Sequence, residues 1–138
     1  MFKKILVPVD LAHAEKLGKA LQAAGGLARL YNAEICFAGV TPTTPSEVAP
    51  NPGDYAGRLE EFTRAQGDVL GVPVSCRTIV DTDPAVQMNR ALEHAITETG
   101  TDLVVMATHL PNVADYVFSG HGAHIAAHSE ASVMLIRE

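Results

Sequence analysis

Five short apolar runs punctuate the chain, and between them the apolar residues fall into helical spacing. The runs are Ile5 to Val9, Ile35 to Val40, Val74 to Val80, Leu103 to Met106 and Val133 to Ile136. All five read as strands, with Leu103 to Met106 and Val133 to Ile136 expected to be buried on both faces. Pro8 lacks an N–H, which suits a strand end, so strand 1 is expected to close near Val9. Asp10 follows at its carboxyl end, where it can also cap the next helix. Ala14, Leu17, Leu21, Ala24, Leu27 and Leu30 then mark a helix from Leu11 to Tyr31, weakened inside by Gly25-Gly26. Strand 2 spans Glu34 to Val40. The prolines of Thr41 to Asp54 predict a long mobile loop. Tyr55, Leu59, Phe62 and Val69 mark helix 2, which Gly71 and Pro73 end. Asp83-Pro84 opens helix 3 as N-cap and first helical residue, with Met88, Ala91, Leu92, Ala95 and Ile96 facing inward.

The resulting order, β-α-β-α-β-α-β-α-β, argues for one α/β domain over residues 1–138. Its sheet should be open and parallel, with helices on both faces and right-handed crossovers. Ligands of such sheets bind beyond the carboxyl ends of the strands, where strand order reverses. Asp10, Val40 and the loop after Met106 would share that edge. The same edge receives the turn Ser119-Gly120-His121-Gly122 and a short helix, about Ala123 to His128. A glycine-flanked helix N-terminus offers unpartnered N–H groups and a partial positive charge to an anion.

Composition narrows the function. A net charge of −6 without a basic cluster argues against a nucleic-acid partner, and no apolar run is long enough for a membrane span. Cys36 and Cys76 both sit in apolar runs and read as thiols of a reducing compartment rather than a disulfide. The N-terminus enters a strand at once, so a cytoplasmic location is expected.

With these residues in place, the chain resembles the universal stress protein (UspA-like) family along essentially its whole length. Ile5-Leu6-Val7-Pro8-Val9-Asp10 resembles the family's opening strand and aspartate, Asp83-Pro84-Ala85 its third helix start, and Ser132 to Arg137 its closing strand. Ala107-Thr108-His109, Pro111 and Tyr116 look most like the UspF/UspG-type branch. The resemblance implies an adenine nucleotide alpha hydrolase-like fold of five strands in the order 3-2-1-4-5. It implies a homodimer pairing through strand 5, Ser132 to Ile136, and a regulatory role with at most slow hydrolysis, so no catalytic residue is assigned. It further implies ATP or a related nucleotide, with Mg, held by Pro8, Val9, Asp10, Val40, Met106, Ala107, Thr108, His109, Leu110, Ser119, Gly120, His121 and Gly122. The family's Gly-x2-Gly-x9-Gly-Ser/Thr motif falls on Ala107, Leu110, Gly120 and His121, or, in the UspF/UspG register with one residue fewer, its Gly-Ser pair falls on Ser119-Gly120. Leu110 therefore stands where the family leaves space for phosphate. No Lys or Arg occurs between Asp102 and Ile136, so backbone dipoles, a metal or protonated histidine would have to balance the phosphates. The competing reading is the same fold with a vestigial pocket, serving as a dimeric interaction module for a regulatory protein partner.

His121, His124 and His128 lie at i, i+3 and i+7 on one helical face, with His109 able to approach. Such a set can hold zinc, but it is more often a solvated face or a dimer edge, and no metal ligand is assigned. Ser119-Gly120-His121 mimics a nucleophile turn, yet Gly-x-Ser-x-Gly is absent.

Overall fold

A computed structural model describes residues 1–81, 84–108 and 121–137. Its strands are β1 (Lys4–Pro8), β2 (Glu34–Thr41), β3 (Val74–Val80), β4 (Leu103–Thr108) and β5 (Ser132–Arg137). All pairings are parallel, in the order β3-β2-β1-β4-β5. The helices are α1 (Gly18–Tyr31), α2 (Pro52–Leu70), α3 (Pro84–Thr99) and α4 (His121–His128), and a 3-10 helix over Leu11–Leu17 precedes α1. The start expected for helix 3 at Asp83 lies outside the described residues.

Alternation along each strand divides the core between the two faces of the sheet. Ile5, Val7, Ile35, Phe37, Leu103 and Val105 pack with α1 and α2. Leu6, Ala38, Val104 and Met106 pack with Met88, Leu92, Ala95 and Ile96 of α3 and Ile125 of α4.

Two expected inward positions are outside. Val69 is 77% exposed and Leu30 is 71% exposed. Leu70, one residue beyond Val69, takes the inward place instead. Gly25 makes that possible, because a Cβ there would stand 2.8 Å from Leu70 Cδ2. The glycine that weakens α1 by propensity is thus what lets α2 approach it. Arg29 Nη1 donates to the Leu70 carbonyl at 2.7 Å and satisfies the end of α2.

The proline-rich connection is shorter than expected. Thr41 completes β2, and Asn51 caps α2 by accepting from the Asp54 N–H at 2.8 Å, with Pro52 as the first helical residue. Between them, Ala49 is buried in the core and Ser46 N–H donates to its carbonyl at 2.9 Å. Ala49 thus ties the middle of this connection to the core.

Candidate functional site at the carboxyl edge of the sheet

The sheet opens at its switch point because of Pro8. In a parallel strand, alternate residues turn their backbone polar groups to opposite neighbours. Lys3 accepts from Glu34 N–H and Val9 donates to Ala38, so odd residues face β2; Lys4 accepts from Asp102 N–H, so even residues face β4. Pro8 falls in the second set and has no N–H to give. The ladder from β1 to β2 accordingly runs through Pro8, whereas the ladder to β4 pairs only Ile5 with Leu103 and Leu6 with Val104. Strand order reverses between the same two strands, which is where ligands of such sheets enter.

A cleft of about 200 Å³ lies at this edge, lined by Val9, Asp10, Val40, Thr41, Val48 and Tyr55 among others. The anchored connection forms one wall through Pro42, Ser46 and Glu47. Tyr55 closes the floor. Its ring packs over Gly39, where a Cβ would collide with the phenol. Burial pushes the Tyr55 pKa up, with the charge of Asp10 adding to the effect, so the phenol stays neutral.

Asp10 is buried, and its side chain is engaged at both oxygens. Oδ1 accepts from the Ala12 N–H at 3.2 Å and Oδ2 lies 2.9 Å from His13 Nδ1. It is therefore the N-cap of the 3-10 helix, as the sequence suggests. The hydrogen bond to Asp10 holds the His13 pKa above its ordinary value; desolvation opposes this, and the Asp10 charge adds to it. A carboxylate has about four lone-pair sites, so Asp10 retains acceptor capacity toward a ligand hydroxyl.

Of the expected site residues, Val9, Asp10 and Val40 line the cleft. Pro8 and Met106 are buried in strands, and Met106 packs toward α3. Ala107 and Thr108 end β4, partly exposed, without lining the cleft. His109, Leu110, Ser119 and Gly120 lie outside the described residues, and His121 is placed only as the first residue of α4. Gly122 serves packing, since a Cβ there would collide with Leu135 of β5. Sequence reading missed Thr41, Val48 and Tyr55 as cleft residues. It assigned Tyr55 to the apolar face of α2, and no periodicity distinguishes a core position from a cleft floor. His13 was legible in principle, as a histidine three residues after an N-cap aspartate.

The model of the universal stress protein family matches residues 1–137. Solved structures agree in fold. A universal stress protein in complex with cAMP aligns with TM-score 0.69 at 20% identity, over 98% of this chain and 97% of that one. The universal stress protein UspA from Lactobacillus plantarum aligns with TM-score 0.69 at 15% identity, over 98% and 97%. One from Archaeoglobus fulgidus in complex with dAMP aligns with TM-score 0.64 at 14% identity, over 97% of each chain. The fold agrees, and the match of the family model over residues 1–137 places this chain in the universal stress protein family.

Proposed function

We propose that the chain binds ATP or a related adenine nucleotide at the carboxyl edge of its sheet and acts as a regulator rather than a catalyst. The observation that carries this is the cleft at the carboxyl ends of β1 and β2, lined by Asp10, Val40 and Tyr55. Its volume of about 200 Å³ lies below the ~300–1,000 Å³ of sites that enclose whole ligands. It suits a base, with the ribose reaching Asp10 and the phosphates continuing toward the backbone of Ser119 to Gly122. Mg bound to the phosphates would supply the positive charge that the segment from Asp102 to Ile136 lacks. Solved relatives in complex with cAMP and dAMP support the reading. The sequence favours a cytoplasmic location, and among the described residues no helix is long and apolar enough to cross a membrane.

Native mass spectrometry of the purified protein tests this directly, by a co-purified nucleotide. Calorimetry with ATP, AMP and cAMP sharpens it. Asp10→Ala should weaken binding by ~1–3 kcal/mol, the usual cost of losing a buried polar contact. Gly120→Val should abolish it by blocking phosphate approach. Leu110→Gly should bind more tightly than wild type. Absence of heat from both wild type and Leu110→Gly would overturn the nucleotide reading.

The second reading is a dimeric interaction module whose pocket is vestigial. Two observations favour it: Asp10 is already satisfied within its own turn, and Leu110 replaces a glycine of the motif. Both readings share a homodimer through β5. This strand ends the sheet, and Leu135 on it is 49% exposed. An uncovered edge invites pairing. Met134→Pro should give a monomer by light scattering at micromolar concentration, and a monomeric wild type would overturn the dimer.

A further inference from the structure

We propose that Glu93 of α3 with His124 and His128 of α4 forms a binding site for a divalent d-block cation, with zinc as the representative ion. None of the three residues lines the cleft at the carboxyl edge.

The three side chains come from two helices and converge. One ligand atom from each lies within 4.8 Å of the others. His124 and His128 are one helical turn apart, the spacing that puts two imidazoles on one face. Their rings stack with centroids 4.1 Å apart and an interplanar angle of 17°. In a tetrahedral zinc site, bond lengths near 2.0–2.1 Å put neighbouring ligand atoms about 3.4 Å apart. His124 Nε2 and Glu93 Oε1 are already 3.0 Å apart. His128 is exposed, and its ligand atom lies within 4.8 Å of the other two.

Two further features distinguish this cluster from a solvated ion pair. The first is an orphaned atom. Glu93 Oε1 is shielded from solvent and receives no hydrogen bond from the described residues; His124 Nε2 beside it forms an ion pair with it only when the imidazole is protonated. A buried acceptor left without a partner is costly, and a charged one more so. A cation between this oxygen and the imidazoles would satisfy it. No Lys or Arg occurs between Asp102 and Ile136, so α4 carries no permanently charged side-chain cation to take its place. The second feature is the tautomer. His128 Nδ1 lies 2.9 Å from the His124 carbonyl, which can only accept, so Nδ1–H donates and the Nε2 lone pair is left for a metal. Backbone support of the other ring nitrogen is how metal-binding histidines are commonly oriented.

The donor set is two imidazoles and one carboxylate, which suits zinc and its neighbours rather than calcium or magnesium. Three protein ligands leave a fourth position for water. Ile125 follows the first histidine, so the general-base glutamate of a helical His-Glu-x-x-His protease motif is missing. The ion would join α4 to α3.

The test uses the full chain, stripped with chelator and titrated with ZnCl2 by calorimetry and with CoCl2 by visible absorption. One zinc per chain is expected, with the intense visible bands of tetrahedral cobalt. Glu93→Gln, His124→Ala and His128→Ala should each bind at least ~tenfold more weakly. His94→Ala should bind as wild type, because His94 pairs with Glu98 instead. Zinc should raise the melting temperature of wild type and of His94→Ala, and leave that of His124→Ala unchanged. Equal binding by wild type and the three site variants would overturn the site, as would an equal loss in His94→Ala. Glu93→Gln keeps the side-chain shape, so it decides the matter if either alanine variant fails to fold.

Discussion

The turn after β1 and the groove between α3 and α4 each set a carboxylate beside histidine, and they leave those carboxylates in opposite states. Asp10 is 7% exposed, and both of its oxygens have partners from the next three residues. The Glu93 side chain is 31% exposed, yet its Oε1 is buried and receives no hydrogen bond from the described residues. Local sequence can satisfy an N-cap, because donor and acceptor lie within one turn. It cannot satisfy Glu93, whose neighbours arrive from another helix. Burial alone therefore does not mark a ligand site, since the more buried carboxylate is the one with a structural role. An unmet acceptor facing further ligand atoms is the stronger sign.

Breaking the floor of the first region should have the largest effect on stability. In Gly39→Ala the new methyl meets the ring of Tyr55, which is buried and must shift to admit it. Overpacking of this kind costs ~1–3 kcal/mol, readable as a lower urea midpoint. Tyr55→Phe in the same background should not restore stability fully, because ring carbons also stand close to the added methyl.

The carboxylates themselves come next. Asp10→Ala removes a cap and should cost ~0.5–2 kcal/mol. Glu93→Gln, without metal, should lie within about 0.5 kcal/mol of wild type, or above it, because the orphaned atom contributes no hydrogen bond to lose. Urea melts of the two variants sharpen the contrast, and equal losses would erase it.

The smallest effect is the pH dependence of His13. Its folded pKa is raised above 6.5, first by the Asp10 hydrogen bond. A raised pKa means that the folded state binds the proton more tightly. The stabilisation is therefore complete below the unfolded pKa near 6.5 and is lost as pH rises through the folded value. NMR titration should show His13 titrating above 6.5 in wild type and lower in Asp10→Asn, with a flatter dependence of stability on pH. His13 is partly exposed, so solvent screening keeps the effect small.

Much of the fold was legible. The apolar runs located every strand, and Asp10 was read as both edge residue and cap. The inward face of α3 was anticipated, with Met88, Leu92, Ala95 and Ile96 all buried. Leu30 and Val69 were not, because spacing gives the phase of an apolar stripe but not where the neighbouring helix ends. Of the expected site residues, Val9, Asp10 and Val40 line the cleft, because topology brings these strand ends to one edge. Tyr55 and Thr41 were missed because a cleft floor carries the same apolar pattern as the core.

The sequence by itself determined element order, the parallel alternation, the division of side chains between two faces and the weak point at Pro8. These depend on torsional preference, on a two-residue or 3.6-residue period and on a missing N–H, all properties of near neighbours. Tertiary structure alone decided that Gly25 admits Leu70, that Gly39 admits the ring of Tyr55, and that Glu93 meets His124 across two helices. Those contacts depend on how closely the elements approach and at what register. Close packing of the whole core sets both at once, and no single stretch of chain encodes either.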